Sequence, residues 1–168
     1  MTDRKVLWTE WLDLHGRTLV AYAKQWVHSH SDAEDIVQDA FLRFWRSQKT
    51  VRDPLAYLYV CVRRSAMDWF RSKRHRAILG ASTNVAEDLN NSIFAENKPE
   101  QHELQAVVDA ALEQLPLEQR EVLIMKIWGG LTFRQISEAV KISPNTTASR
   151  YRYALKNLRR HLDRESVE

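Results

Sequence analysis

Between Ala33 and Trp45 the apolar residues Ala33, Ile36, Val37, Ala40, Phe41, Phe44 and Trp45 fall at steps of three and four. That period places all seven on one side of an α-helix and does not fit a strand, whose faces alternate every second residue. The same rhythm runs through Leu7, Trp8, Trp11, Leu12, Leu19, Val20, Ala23, Trp26 and Val27, with a break expected near Gly16. It returns in Leu55, Leu58, Tyr59, Val62, Ala66, Trp69 and Phe70, then in Leu104, Val107, Val108, Ala111, Leu112 and Leu115. Strand-rich folds need many turns built on Gly and Pro, and this chain has only four of each in 168 residues. An all-α fold follows.

Capping chemistry divides the pattern into helices. Ser31-Asp32-Ala33-Glu34 reads as a capping box, and Asp53-Pro54 as an N-cap acid with proline at the first helical position. Residues 77–104 lose the period and fill with Asn, Ser, Ala and Glu, which predicts a flexible acidic linker. Pro116 opens a segment through Val122, Leu123, Ile127 and Trp128 that stops at Gly129-Gly130. Thr132-Phe133-Arg134-Gln135 starts a short helix with Ile136, Ala139 and Val140. Lys141-Ile142 forms a tight turn, Ser143 caps and Pro144 opens a last helix with a buried stripe of Thr147, Tyr151, Ala154, Leu155, Leu158 and Leu162. The expected architecture is two small helical domains, residues 1–76 and 105–168, joined by the linker 77–104.

Charge is segregated. Residues 63–76 hold six Lys/Arg against one acid, and residues 141–168 hold seven against three, while residues 77–105 hold one against five. Two separate basic blocks suit a chain that touches nucleic acid at two places, because phosphate neutralisation drives such binding. They also suit ordinary solvated helix faces. No apolar run approaches the ~20 residues of a membrane span. Glu10 interrupts the N-terminal segment before a signal-peptide core forms. The single cysteine, Cys61, makes no internal disulfide, so a reducing, cytoplasmic setting is expected. The six histidines are scattered, and His28-x-His30 lacks a third ligand nearby, so neither a metal nor another cofactor is expected. No phosphate-binding glycine loop or hydrolase motif occurs, which argues against an enzyme.

Two surfaces stand out. A short helix, a tight turn and a longer helix with a polar start form the helix-turn-helix pattern. The last helix turns Asn145, Ala148, Ser149, Arg152, Lys156 and Arg159 away from its apolar stripe, with Thr146, Arg150 and Tyr153 alongside. Small groups early allow close approach to base edges, and the later bases reach phosphates. On the 32–47 helix, Asp35, Gln38, Asp39 and Leu42 form a second stripe apart from the core one. Acids that steer and a leucine that anchors suit docking on a basic helical partner.

With these residues in view, the chain resembles the extracytoplasmic-function group of bacterial sigma factors. DAEDIVQDAFLRFWRS (32–47) with DPLAYLYVCVRRSAMDWFR after it is similar to sigma region 2, and LPLEQREVLIMKIWGGLTFRQISEAVKISPNTTASRYRYALKNLRRHL (115–162) to region 4. The resemblance implies core RNA polymerase and promoter DNA as partners, through the β′ clamp and the β flap. It places Asp35, Gln38 and Asp39 at the clamp, and Leu42, on the same stripe, is expected to bind polymerase with them. It makes Lys49, Arg52, Tyr57, Arg63, Arg64, Arg71, Lys73, Arg74 and Arg76 candidates for the −10 element. Asn145, Thr146, Ala148, Ser149, Arg150, Arg152, Tyr153 and Lys156 are candidates for −35. It also implies an anti-sigma protein as a further partner, although no residue here marks that contact. The family often has Asn where this chain has Arg64. In SPNTTASRYRY, Thr147 and Ala148 replace the commoner valine and basic residue. A stand-alone helix-turn-helix regulator is the alternative; it accounts for residues 104–162 and leaves the Asp35 face without a role. A nucleic-acid-processing enzyme or helical adaptor fits the missing catalytic set and the paired basic blocks least well.

Overall fold

The computed structural model describes residues 2–47, 51–80 and 99–165. Among these it holds helices α1 (Thr2–Ala23), α2 (His30–Ser47), α3 (Pro54–Ile78), α4 (Pro99–Glu113), α5 (Leu117–Ile127), α6 (Phe133–Val140) and α7 (Pro144–Glu165), and no strand. The chain divides into two compact units, Met1–Asp88 and Leu89–Glu168.

In the first unit α2 packs most extensively on α3, and α1 lies against both. Its core gathers Leu19, Tyr22 and Val27 with Ile36, Val37 and Phe41 of α2 and Leu58, Tyr59 and Val62 of α3. Each such side chain contributes about 1.5–3 kcal/mol when fully buried. Aromatic edges lock the helices: Tyr22 meets Tyr59 at 5.2 Å between ring centroids, and Trp11 stacks on Phe44 at 5.6 Å. The Leu7 and Trp8 side chains lie outside the described set.

Three local expectations are corrected here. α1 runs unbroken through Gly16. A helix-interior glycine costs about 1 kcal/mol, which the burial of Leu19 and Tyr22 on the next turn outweighs. α2 is capped by Ser29 rather than Ser31, with the Asp32 amide donating to Ser29 Oγ at 3.3 Å. With Ser29 as cap, Asp32 stands in the first turn near the positive helix end, and His30 Nε2 lies 3.1 Å from Glu34 one turn on. α3 starts as expected, with Asp53 Oδ1 accepting the Ala56 amide and Pro54 leading. Its apolar stripe ends early, however. Trp69 is half-buried, Phe70 is exposed, and the helix continues past residue 76 to Ile78 as an exposed rod.

The second unit is built around Leu112, Leu115, Leu123 and Ala154, with Val108, Trp128, Tyr151 and Leu158 packed against them. α4 starts at Pro99, earlier than its apolar period, and Leu104 is 69% exposed. Ile127 and Leu155 are also exposed rather than buried, each at the margin of the buried side of its helix. Gly130 takes a positive φ of 64° where the chain leaves α5, and Lys126 Nζ donates back to the Leu131 carbonyl at 3.3 Å.

The helix-turn-helix forms as its sequence predicts. Thr132 Oγ1 accepts the Gln135 amide at 3.1 Å, and Gln135 Oε1 accepts the Thr132 amide at 2.7 Å, completing both arms of the capping box. Lys141 then turns the chain in the left-handed region, φ 57° and ψ 48°. Ser143 Oγ accepts the Thr146 amide at 3.1 Å, and the buried Thr147 hydroxyl donates to the Ser143 carbonyl at 3.0 Å. Asn157 Nδ2 donates to Gln119 Oε1 at 3.0 Å and ties α7 to α5.

Lys141 costs this turn stability. Left-handed backbone at a residue with a Cβ is unfavourable by about 1–2 kcal/mol, whereas glycine's extra unfolded-state freedom costs roughly 0.5–1. Lys141→Gly is therefore expected to stabilise the chain by about 0.5–1 kcal/mol in urea denaturation. A lowered midpoint would show that the lysine side chain contributes more than its backbone loses.

Candidate nucleic-acid and partner interfaces

Burying Ala33, Ile36, Val37, Ala40, Phe41 and Phe44 inside the first unit leaves the other side of α2 facing outward. Asp35, Gln38 and Leu42 are all exposed there, Leu42 to 53%. Asp39 belongs to the same stripe but is also bound within the unit. Its Oδ2 accepts the Ser65 hydroxyl at 2.7 Å and Arg43 Nε at 2.9 Å. Arg43 reaches on to Asp68 of α3 at 3.0 Å, and Asp68 lies 3.9 Å from Arg71. Nothing in the sequence stripe distinguished Asp39 from Asp35. The spacing of Asp39 and Arg43 on one helix was visible, but Ser65 and Asp68 became partners only through the α2–α3 packing.

α3 carries the first basic block. Arg64, Arg71, Arg74 and Arg76 are exposed, and Arg63 is half-buried with Nη1 3.6 Å from Met67 Sδ. Lys73 sits over the Trp69 ring at 4.8 Å, which fixes its stem while leaving a cation at the surface. Phe70, Ile78 and Leu79 are exposed among these bases. Arg52 is exposed just ahead of the helix, and Lys49 lies outside the described residues. Tyr57 is half-buried with its ring 6.3 Å from Phe44. Tyr59 is in the core, where burial pushes its phenol well above the ordinary range.

On α7 the geometry separates the two faces cleanly. Thr147 and Ala154 are buried, Tyr151 and Leu158 are packed on the core, and Asn145, Thr146, Arg152, Tyr153 and Lys156 are exposed. Ala148, Ser149 and Arg150 are half-buried. The Thr146 hydroxyl lies 2.8 Å from Ser143 Oγ, so it serves the helix start as well as the surface. Arg152 Nη2 lies 3.4 Å from Ser149 Oγ, bringing the two central polar groups of this face together. Among the described residues no group of His, Cys, Asp and Glu is arranged to hold a metal ion, and no helix is long and apolar enough to cross a membrane.

Comparison with known proteins finds relatives for both helical segments. Residues 11–76 match the sigma-70 region 2 family, and residues 105–158 match sigma-70, region 4. The chain is 30% identical over 156 residues to the ECF RNA polymerase sigma factor SigL of Mycobacterium tuberculosis, covering 88% of this chain and 84% of that one. It is 25% identical over 157 residues to the ECF RNA polymerase sigma factor SigX of Bacillus subtilis, covering 90% and 81%. In fold it is similar to the sigma factor RpoE of Bartonella quintana, solved with the anti-sigma factor NepR, at a TM-score of 0.74 and 24% identity over 97% of this chain and 98% of that one. A stand-alone regulator would account for residues 105–158 and leave the region 2 match unexplained. The chain belongs to the extracytoplasmic-function group of RNA polymerase sigma factors, which bind core polymerase and direct it to the −10 and −35 elements of promoter DNA.

Proposed function

We propose that this sigma factor docks on the β′ clamp through α2, with Asp35, Gln38 and Leu42 at the contact and Asp39 at its inner edge. The observation that carries this reading is an exposed leucine flanked by acids on the outer face of a helix whose inner face is fully packed. Acids raise the rate of encounter with a basic partner, and a desolvated leucine supplies holding energy. The −10 element falls to α3 and the stretch before it. Lys49 and Arg52 hold the displaced strand, Tyr57 offers a stacking ring, and Arg63, Arg64, Arg71, Lys73, Arg74 and Arg76 grip phosphates. α7 reads the −35 duplex through Asn145, Thr146, Ala148, Ser149, Arg152 and Tyr153, with Arg150 and Lys156 on the backbone. The domain division is 1–76, 77–104 and 105–168, with the second helical domain also meeting the β flap.

The protein acts by binding alone, without catalysis or a cofactor, in the cytoplasm where polymerase and DNA are found. An anti-sigma protein is a further partner in this reading, as it is for the solved relative.

Transcription by core polymerase on sheared genomic DNA, with and without the chain, tests the reading when RNA 5′ ends are mapped. New starts sharing two spaced upstream motifs are expected. Asp35→Lys with Leu42→Ala is expected to weaken core binding by about tenfold to a hundredfold, since each anchor removed costs on the order of 1 kcal/mol or more. The circular dichroism spectrum stays helical in this variant because both side chains are exposed, and unchanged affinity would overturn the docking face. Asp39 is left intact because its loss would also break the Ser65 and Arg43 bonds. Arg152→Ala is expected to lower discrimination between cognate and altered −35 duplexes by about 1–3 kcal/mol. Equal loss on every sequence would make Arg152 a phosphate contact instead.

A further inference from the structure

The Ser65–Asp39–Arg43–Asp68 cluster lies at a particular point on α3. Up to Ala66 that helix buries one side against the unit, with Ser65 and Ala66 as its last buried residues. Beyond Asp68 it is an exposed rod carrying Arg71, Lys73, Arg74 and Arg76, with Trp69 and Lys73 alone half-buried. The ten steps of helix from Asp68 to Ile78 reach about 15 Å at ~1.5 Å each. A tilt of a few degrees at the root of such a rod moves its tip by roughly 1 Å, so whatever fixes the root sets where the bases point.

Arg43 is the link at that root. Its guanidinium meets Asp39 on its own helix at 2.9 Å and Asp68 on α3 at 3.0 Å, while Asp39 takes the buried Ser65 hydroxyl at 2.7 Å. Only arginine presents a planar fork of donors suited to joining two carboxylates at once, and lysine would offer a single mobile point charge. Burial works against the Arg43 charge, yet the hydrogen bonds and charges of Asp68 and Asp39 outweigh it and push the guanidinium above its ordinary range. All four groups join the docking helix to the DNA helix. We propose that Arg43 is a positioning residue that fixes the angle between the polymerase-docking face of α2 and the basic rod of α3, so that binding to core brings that rod into register with the melting promoter. Asp39, although half exposed, then serves this link through Ser65 and Arg43, and docking rests mainly on Asp35, Gln38 and Leu42.

The inference rests on the docking surface proposed above. The test uses the full chain as Arg43→Ala, Arg43→Lys and Asp68→Asn, the last removing the α3 charge of the link together with its longer pairing to Arg71, which Arg43→Ala leaves in place. Two quantities are read: affinity for core polymerase by fluorescence anisotropy, and the rate of promoter opening at saturating holoenzyme by permanganate reactivity of unpaired thymines. Arg43→Ala is expected to keep core affinity within about threefold and to slow opening at least tenfold. Arg43→Lys falls between it and the wild type, and Asp68→Asn shows the same split. Opening at the wild-type rate in Arg43→Ala and Asp68→Asn would overturn the proposal. So would a parallel fall of affinity and opening with a lowered melting temperature, since the cluster would then only support the fold. If Asp35→Lys with Leu42→Ala leaves affinity unchanged, the docking face fails instead, and the Arg43 split distinguishes that failure from this one.

Discussion

The burial of α2 against α3 is the constraint on which the first unit depends. One side of α2 is spent on Ala33, Ile36, Val37, Ala40, Phe41 and Phe44, so only the opposite side is available to a partner. The direction of that face is as fixed as the core itself, because slipping the helix by one residue would carry Ile36 or Phe41 toward water at about 1.5–3 kcal/mol each. The polar cluster beside this core works at a smaller energy scale. Arg43, Asp39 and Asp68 are all substantially exposed, and ion pairs of that kind contribute roughly 0–1 kcal/mol apiece. Too weak to hold the fold, they are strong enough to choose among helix angles that the apolar packing alone would tolerate.

The sequence already displayed the phase of α2, because a three-and-four period is a local property that needs no knowledge of the partner; α5 was less legible, since it buries Glu121 through Met125 in succession. The caps at Asp53, Thr132 and Ser143 were legible for the same reason: each bond spans three or four residues. What escaped is how far each stripe is covered. Leu104, Ile127 and Leu155 all continue an apolar stripe, yet each is exposed among the described residues. A period says which side turns inward and is silent on how much of that side is covered. The start of α2 escaped differently, since Ser29 and Ser31 flank His30 as equally good caps and only the backbone decides between them.

The candidate surfaces divide along the same line. Exposure of Asp35, Gln38 and Leu42 follows from the phase of α2, and exposure of Asn145, Arg152 and Lys156 from that of α7. The second engagement of Asp39 does not follow, because Ser65 is 26 residues away along the chain. Such a bond exists only after two helices meet. A carboxylate that looks like one more docking acid in a stripe thus becomes part of the frame that holds the stripe in place.

The face of α7 bears on how this sigma factor selects promoters. Ala148 and Ser149 carry short side chains, the Thr146 hydroxyl is shared with Ser143, and Arg150 is half-buried, which leaves Arg152 as the main long donor at the centre. A bidentate arginine contact discriminates by about 1–3 kcal/mol, far short of the 4–10 kcal/mol that separates specific from non-specific binding in self-sufficient DNA-binding proteins. In the reading proposed above, the bases of α3 add phosphate contacts on the −10 side, which strengthen binding without themselves reading sequence, and leave −10 recognition to few other groups. Each interface alone is therefore a poor selector. Joined on one polymerase, the two contribute together, because the second binding step becomes intramolecular and its effective concentration is set by spacing. On the DNA-reading residues proposed above, so sparse a face becomes selective only after core polymerase has fixed the distance between the two DNA sites.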